Sequence, residues 1–235
     1  MKNKIDIICY YDTLHKNLFD LFFYSSYKKY LINNFNLIEH YFSTDPNTES
    51  SWYSEHWSKT LINRFDIIKD YIKCNTNKWC IFSDVDILFF ENFYKDIKIY
   101  LESDLHDIYY MPEFIRAPIN IVNGGFFLFK CNNKIYDYFC LVQEKTKSMT
   151  EPNDQISIQE LLKTNNIKYS ILHRSIFVTN NNPRNKILYL LNNNIMKVFH
   201  ATCTGNVIEK MQVLSTVYIK KYNPIGNCLW IPPEV

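Results

Sequence analysis

Residues 79–90 read WCIFSDVDILFF, with two acidic residues, Asp84 and Asp86, between two short apolar runs. An apolar run as short as 79–82 predicts a buried β-strand, and 87–90 predicts a second short strand. The two acids therefore lie at the carboxyl end of the first strand. Both flanking segments are expected to pack into the core, so the acids have little freedom to move apart.

The rest of the chain alternates between strand-like and helix-like patterns. Ahead of the acidic pair, strands are predicted at 5–10 and 37–42, and helices from Asp12–Thr13 to about 30 and from 57 to about 75. Beyond it, helices are predicted at 93–101, 134–147, 156–163 (capped by Asn153) and from 207, and extended segments at 108–111, 126–129, 168–172 and 196–200. This order predicts an α/β fold with a mainly parallel central sheet flanked by helices.

Length and composition fit one enzyme-sized unit. A chain of 235 residues fits a single domain, 1–235, and its 47% hydrophobic content supplies a substantial core. The formal net charge is only +2, and the basic residues are scattered among acids, so nucleic acid is not an expected partner. Runs of asparagine at 180–182 and 192–194 are interpreted as surface loops of a sequence with biased composition.

Cysteine use and hydropathy predict a cytoplasmic protein. The seven cysteines are odd in number and include no C-x-x-C pair, which fits neither a complete disulfide framework nor a thiolate zinc site. The apolar run at the N-terminus is short and interrupted by Asp6, and no segment approaches the ~20 apolar residues of a membrane span. We therefore expect neither a signal peptide nor a transmembrane segment.

The acidic pair suits a divalent cation. In an extended segment, residues two apart point to the same side, so Asp84 and Asp86 project together while Val85 turns toward the core. Neighbouring carboxylates repel one another, and a cation with a preference for oxygen ligands relieves that repulsion. Asp12 ends another predicted strand, and ligands of α/β folds gather at such carboxyl ends. The alternative is a polar turn whose acids are simply solvated.

Four sequence blocks are informative when taken together: WCIFSDVDILFF at 79–90, NGGFFLFK at 123–130, NDQISIQELL at 153–162 and FHATCTGNVIEK at 199–210. In order and approximate spacing they resemble the nucleotide-diphospho-sugar glycosyltransferases of the GT-A fold, particularly retaining galactosyl- and xylosyltransferases and glycogenin-like enzymes. The first is similar to the D-x-D motif of that family. The resemblance implies a Rossmann-like GT-A domain, with 1–90 as the nucleotide-binding half and 91–235 as the sugar and acceptor half.

The resemblance also implies a set of ligands for a metal and a diphosphate. Asp84, Asp86 and His200 would bind Mn²⁺ or Mg²⁺, and Lys210 would contact the donor diphosphate. The segment WSKTLINRF is similar to a family helix whose basic residue touches donor phosphates, which makes Lys59 a candidate and Arg64 a weaker one. The chain departs from the family pattern at Cys203 and Thr204.

Sugar and base contacts follow from the remaining blocks. By resemblance, Asn123, Gly124 and Gly125 line the donor sugar site, and Asp154 and Gln155 are the catalytic pair that meets the transferred sugar. The segment Tyr10, Tyr11 and Asp12 ends the first strand, where a ring could stack on uracil and a carboxylate or the backbone could bind its edge. Core packing is the competing interpretation for both tyrosines. The other histidines, including His15 and His56, have no comparable context.

The predicted activity is transfer of a sugar from a nucleotide-diphosphate donor, a UDP-sugar, to a hydroxyl of a carbohydrate or glycosylated protein. The resemblance implies retention of anomeric configuration. Two other hypotheses remain open. One is a non-catalytic nucleotide-sugar-binding protein of the same fold; the other is a D-x-D phosphatase with Asp84 as nucleophile, which the long βα region upstream disfavours.

Overall fold

The computed structural model describes residues 4–45, 47–49, 54–113, 121–202, 204 and 206–222. Its strands are β1 Ile5–Asp12, β2 Phe35–Phe42, β3 Trp79–Ser83, β4 Ile87–Phe89, β5 Ile108–Glu113, β6 Ile121–Lys130, β7 Tyr169–Ile171, β8 Phe177–Thr179 and β9 Val198–His200. Its helices are α1 Lys16–Leu18, which runs through a π-helical stretch Phe19–Tyr24 into α2 Ser25–Tyr30, then α3 Glu55–Cys74, α4 Tyr94–Ser103, α5 Asn133–Ser148, α6 Asp154–Thr164, α7 Arg184–Asn192 and α8 Val207–Tyr222.

The strands form two sheets. A six-stranded sheet has the order β2-β1-β3-β6-β5-β7, and a three-stranded sheet has the order β4-β9-β8. In the larger sheet only β6 runs against the other five strands, so the sheet is mainly parallel. The predicted α/β fold with a mixed, mainly parallel sheet is confirmed.

The alternation of side chains along the central strands builds a core on each face of the larger sheet. In β3, Ile81 packs into one core and its neighbours Cys80 and Phe82 pack into the other, as the period of two in a strand requires. All three are essentially inaccessible to solvent. Burial of one such aliphatic or aromatic side chain stabilises the fold by about 1.5–3 kcal/mol. β3 is therefore firmly held, and so is the chain that leaves its end.

Helix α3 crosses one face of this sheet. The Ser54 side chain caps the helix by accepting a hydrogen bond from the Trp57 N–H at 3.2 Å. Phe65, Ile68 and Ile72 recur at helical spacing and are buried against the sheet, as their periodicity predicts. Arg64 of the same helix is also buried, because its side chain turns into the site described below.

Several elements differ from the sequence expectation. The glycine pair was expected just before a strand, but β6 begins earlier, and Gly124 and Gly125 lie within it at an irregular point where the pairing with β5 shifts between Tyr110 and Met111. β8 and α7 were not predicted, because β8 is short and lies beside polar residues. Asn182, assigned to a surface loop, is buried and donates to the Thr179 carbonyl. None of the helices in the described ranges has the length and apolarity to cross a membrane.

Candidate active site

The two acids of the D-x-D sequence occupy the link between the sheets. Asp84 follows β3 of the larger sheet, and its N–H donates to the Gly125 carbonyl at 2.7 Å. The Asp86 carbonyl accepts from the Ala201 N–H at 3.0 Å, which ties it to the smaller sheet just before β4. Val85 between them is buried in the core, as predicted. The backbone of each acid is thus fixed by a different sheet.

His200 completes a cluster with the two acids. It ends β9 and is paired in register with Ile87, which places its ring beside the acidic link. Nε2 of His200 lies 3.0 Å from Oδ1 of Asp86 and 3.7 Å from Oδ2 of Asp84. One ligand atom from each residue lies within 4.8 Å of the other two, a spacing that suits one metal ion. Carboxylate oxygens and imidazole nitrogen are suitable ligands for Mn²⁺ or Mg²⁺.

The pKa values of the two carboxyl groups are shifted in opposite directions. Burial raises the pKa of Asp84 despite the neighbouring Arg64 guanidinium, and the charge of Asp86 raises it further. Burial also opposes ionisation of Asp86, but Lys210 and His200 outweigh it and hold the pKa of Asp86 well below its usual value. The Lys210 ammonium, in the first part of α8, lies 2.6 Å from Oδ2 of Asp86. Burial lowers the pKa of His200, but the two facing carboxylates outweigh this effect and raise it.

A cavity of about 460 Å³ opens in front of this cluster. It collects residues from most of the predicted blocks, which are far apart in sequence. The predicted site residues on its wall are Arg64, Asp84, Asp86, Asn123, Gly124, Gly125, Asp154, Gln155, His200 and Lys210. Such a concave pocket with converging charged groups is the usual form of a small-molecule site.

Arg64, rather than Lys59, is the cation that α3 contributes. The buried Arg64 guanidinium forms an ion pair with Asp154 and lies 3.7 Å from Oδ1 of Asp84. Its Cζ lies 5.2 Å from the ring centre of Phe65. The Lys59 ammonium instead pairs with Glu55 at 2.6 Å on the exposed face of α3, away from the cavity. Of these two candidates, Arg64 is the one on the cavity wall, and a contact of either residue with a donor phosphate stays a prediction.

The glycine pair of β6 allows two close approaches. A Cβ atom on Gly125 would collide with Oδ2 of Asp84 and with Cε1 of His200, and a Cβ on Gly124 would lie 2.9 Å from Oδ2 of Asp154. No described glycine has a positive φ, so the requirement is for space and not for an unusual backbone conformation. Glycine at 125 therefore lets the proposed metal ligands close on the strand.

Asp154 and Gln155 begin helix α6 and also line the cavity. The Asn153 side chain caps this helix by accepting from the Ile156 N–H at 3.1 Å, as predicted. Asp154 is buried beside Arg64, and Gln155 is half-buried and faces the cavity. The capped first turn of α6 therefore lies on the cavity wall.

Comparison with known proteins identifies the family. The family model described as nucleotide-diphospho-sugar transferase matches residues 19–214. The chain belongs to this family of transferases. No curated protein matches the chain in a sequence search. Because the family transfers sugars, the D-x-D phosphatase hypothesis has no support.

Solved structures of glycosyltransferases share the fold of this transferase. A glycosyltransferase involved in glycosylation of the major capsid of PBCV-1 aligns with a TM-score of 0.60 and 14% identity over 91% of this chain and 100% of that chain. The galactosyltransferase LgtC, solved with donor and acceptor sugar analogues, aligns with a TM-score of 0.54 and 11% identity over 90% and 96%. The bifunctional glycosyltransferase WbbM aligns with a TM-score of 0.61 and 9% identity over 95% of this chain and 52% of its own.

The two tyrosines at the end of β1 in this transferase, predicted as possible contacts of the nucleotide base, have different surroundings. Tyr11 is only 5% exposed, its ring stacks on Phe19 at 4.2 Å, and its hydroxyl donates to Glu39 at 3.0 Å, so the ring packs in the core, as the competing interpretation expected. The Tyr10 ring stacks on Phe42 at 4.8 Å and is half-buried beside a smaller hollow next to the main cavity.

Asp12 is held between two histidines that the sequence did not single out. Its Oδ1 lies 2.6 Å from Nδ1 of His15, and its Oδ2 lies 2.5 Å from Nε2 of His56. Burial opposes ionisation of Asp12, but hydrogen bonds from these histidines lower its pKa to about 2. Each carboxylate oxygen accepts from one histidine, so Asp12 holds both rings in place, and a contact of Asp12 with a base edge stays a prediction.

Other cavity residues escaped the sequence analysis. They are Trp57, Leu61, Glu113, Gln159, Thr202 and Thr204. A tryptophan in a chain rich in aromatic residues and a lone glutamate at the end of a strand carry no signal that separates them from structural residues. Thr204 was noted only as a departure from the family pattern, and Cys203 and Gly205 of the same block lie outside the described residues.

Proposed function

We propose that this chain is a metal-dependent glycosyltransferase that moves a sugar from a nucleotide-diphosphate donor, a UDP-sugar, to a hydroxyl acceptor. Asp84, Asp86 and His200 would hold Mn²⁺, or Mg²⁺, and the donor diphosphate would bind beside it. The observation that carries the proposal is the convergence of two carboxylates and one imidazole at a cavity that also receives Arg64 and Lys210. Family membership supplies the class of donor.

The charges around the cavity suit the departure of a diphosphate. When bound, the cation would stabilise as a Lewis acid the negative charge that grows on the leaving phosphate, an effect worth several kcal/mol in such sites. The Lys210 ammonium forms an ion pair with Asp86 at 2.6 Å. At this position it could also bind a phosphate oxygen of the donor. The raised pKa of the Asp84 carboxyl, caused by burial and by Asp86, reflects the repulsion that a cation would remove.

The reaction breaks the bond between the anomeric carbon and the diphosphate oxygen and forms a bond from that carbon to the acceptor hydroxyl oxygen. The acceptor proton passes to the departing phosphate oxygen. We assign Asp154 and Gln155 to the sugar. Asp154, held by Arg64, would orient hydroxyl groups, and Gln155 would stabilise an oxocarbenium-like sugar during transfer to the same face, which retains configuration.

The two halves of the chain would bind different parts of the donor. We assign the nucleotide to residues 1–90, with Tyr10 and the Asp12 cluster beside the smaller hollow, and the sugar and acceptor to 91–235, with Asn123 and Gly124 on the wall. LgtC binds donor and acceptor sugar analogues in a comparable fold. We propose a hydroxyl of a carbohydrate or of a glycosylated protein as the acceptor here.

A melting experiment tests the proposal. The protein is heated with UDP, GDP and their sugar conjugates, with and without Mn²⁺, and hydrolysis of each donor is followed. The proposal predicts a metal-dependent rise in melting temperature with uridine nucleotides and slow release of the sugar. A metal-dependent rise without any hydrolysis or transfer would favour the non-catalytic binding protein. No rise with any nucleotide would contradict the proposal.

A further inference from the structure

Glu113 is a buried carboxylate on the cavity wall that has no role in the sequence motifs. It ends β5, and its two oxygens accept three hydrogen bonds. Oε2 accepts from Nδ2 of Asn123 at 2.6 Å, and Oε1 accepts from Oγ1 of Thr179 at 3.0 Å and from Nδ2 of Asn181 at 2.8 Å. A carboxylate that accepts from three donors is held in one orientation and in turn orients its neighbours.

The hydrogen bonds determine which way the Asn123 amide points. Its Nδ2 donates to Glu113, which accepts only, and its Oδ1 accepts from the Gly125 N–H at 2.9 Å. Both contacts require the same amide orientation, so Oδ1 faces Nδ1 of His200 at 3.0 Å. An amide oxygen accepts and cannot donate, and Nδ1 of His200 must therefore carry a hydrogen.

The orientation of Asn123 in turn fixes His200. With the hydrogen on Nδ1, the neutral ring has its lone pair on Nε2, the atom that faces Asp84 and Asp86. Histidines that bind metals commonly have their second nitrogen held in this way, and loss of the holding group weakens metal binding. Glu113 also joins the two sheets that supply the ligands, since Asn123 lies in β6 while Thr179 in β8 is paired in register with His200 in β9.

We propose that Glu113 is a positioning residue for the metal site, which acts through the Asn123 amide to present Nε2 of His200 to the cation. The inference rests on the proposed function, because it assumes that His200 binds the metal. Glu113 itself touches neither the metal nor its ligands. Its effect is on the orientation and tautomer of one ligand.

The test compares the affinity for Mn²⁺ alone, measured by titration calorimetry, in wild-type protein, Glu113→Ala and Glu113→Gln. Glu113→Ala leaves Nδ2 of Asn123 without its acceptor, and we expect Mn²⁺ affinity to fall by about 10–100-fold. Glu113→Gln keeps an oxygen toward Asn123, so we expect most of the affinity to return. Gln143→Ala is the matched control: Gln143 is also buried and bonded at both ends, to Lys69 and to the Ile62 carbonyl, but it lies away from the cavity.

A second measurement separates positioning from simple loss of stability. Nitrogen-15 spectra of labelled histidine, recorded with Mg²⁺ bound, should show His200 with its hydrogen on Nδ1 in wild-type protein and a mixture in Glu113→Ala. Unchanged Mn²⁺ affinity in Glu113→Ala, or an equal loss in Gln143→Ala, would overturn the positioning role and leave the proposed function standing. A wild-type protein that binds no Mn²⁺ would overturn both.

Discussion

The N–H of Asp84 donates to the carbonyl of Gly125 at 2.7 Å, and the space above Gly125 is filled by the Asp84 carboxylate and the His200 ring. The strand that lines the cavity thus holds the first acid by its backbone and leaves room for its side chain. A metal site built at this point depends on the absence of a side chain at 125.

Gly125→Ala is therefore expected to weaken metal binding without unfolding the protein. The added methyl group would displace the Asp84 and His200 side chains, while the φ of Gly125 lies outside the region reserved for glycine. We expect Mn²⁺ affinity to fall by about tenfold or more, a loss typical of displaced ligands or their supports.

Gly124→Ala provides the comparison. Its methyl group would press on Asp154 and Arg64 instead. It should weaken donor binding and leave Mn²⁺ affinity close to that of wild type. Equal Mn²⁺ affinity in wild type and Gly125→Ala would show that the ligands do not need the close approach.

Arg64→Ala should destabilise the fold strongly, because it leaves Asp154 buried without its cation. Loss of one partner from a buried ion pair costs about 3–5 kcal/mol, and urea unfolding measures it. The double variant Arg64→Gln with Asp154→Asn removes both charges and should recover part of that stability while donor binding stays weak. Recovery of donor binding in the double variant would contradict the role of these charges.

Lys59→Ala tests which of the two α3 cations, Lys59 or Arg64, contacts the donor. Because the Lys59 ammonium is exposed and pairs with Glu55 away from the cavity, donor affinity should not change. A loss of nucleotide-sugar affinity in Lys59→Ala as large as that in the double variant Arg64→Gln with Asp154→Asn would indicate that Lys59 contacts a phosphate.

Thr202→Val should separate binding from stability. Oγ1 of Thr202 is buried on the cavity wall and has no hydrogen-bond partner among the parts of the chain that the structure describes. Replacing an unsatisfied buried hydroxyl by a methyl group is expected to leave stability equal or raise it by about 1 kcal/mol. If this hydroxyl forms a hydrogen bond to an oxygen of the bound nucleotide-sugar, the variant should also bind the nucleotide-sugar more weakly. An unchanged affinity would exclude that contact.

Asp12 gives a prediction for acid stability. Its pKa is lowered from 3.8 to about 2 in the folded protein, so its contribution is complete above pH 4 and is lost as the pH falls toward 2. The shift corresponds to about 2 kcal/mol. The difference in free energy of unfolding between wild type and Asp12→Asn should therefore be largest near pH 5–7 and shrink toward pH 2. A difference independent of pH would contradict the assigned pKa.

The sequence predicted the parts of the site that depend on local pattern. The apolar runs on both sides of Asp84 and Asp86 were sufficient to locate β3 and β4, and the periodicity of Phe65, Ile68 and Ile72 was sufficient to locate α3. The cap of α6 could also be predicted from Asn153, because a capping side chain acts within its own turn.

The remaining features depend on contacts between distant segments. Glu113 binds three residues of two other segments, and Asp12 binds a histidine in α3. A local periodicity of apolar residues carries no information about such contacts. Tyr11 was a donor candidate because it ends the first strand, and Lys59 because its segment resembles a family helix. The direction of each side chain depends instead on tertiary packing: the Tyr11 ring stacks on Phe19, and Lys59 lies on the exposed face of α3.

Pulsed electron paramagnetic resonance of Mn²⁺ bound to the protein together with UDP tests the central claim most directly. The account predicts nitrogen coupling from one histidine, lost in His200→Ala, and phosphorus coupling from the diphosphate at the same ion. It also predicts that Asp86→Asn removes both signals. A bound Mn²⁺ that shows phosphorus coupling with no histidine nitrogen in wild-type protein would contradict a metal site built from Asp84, Asp86 and His200.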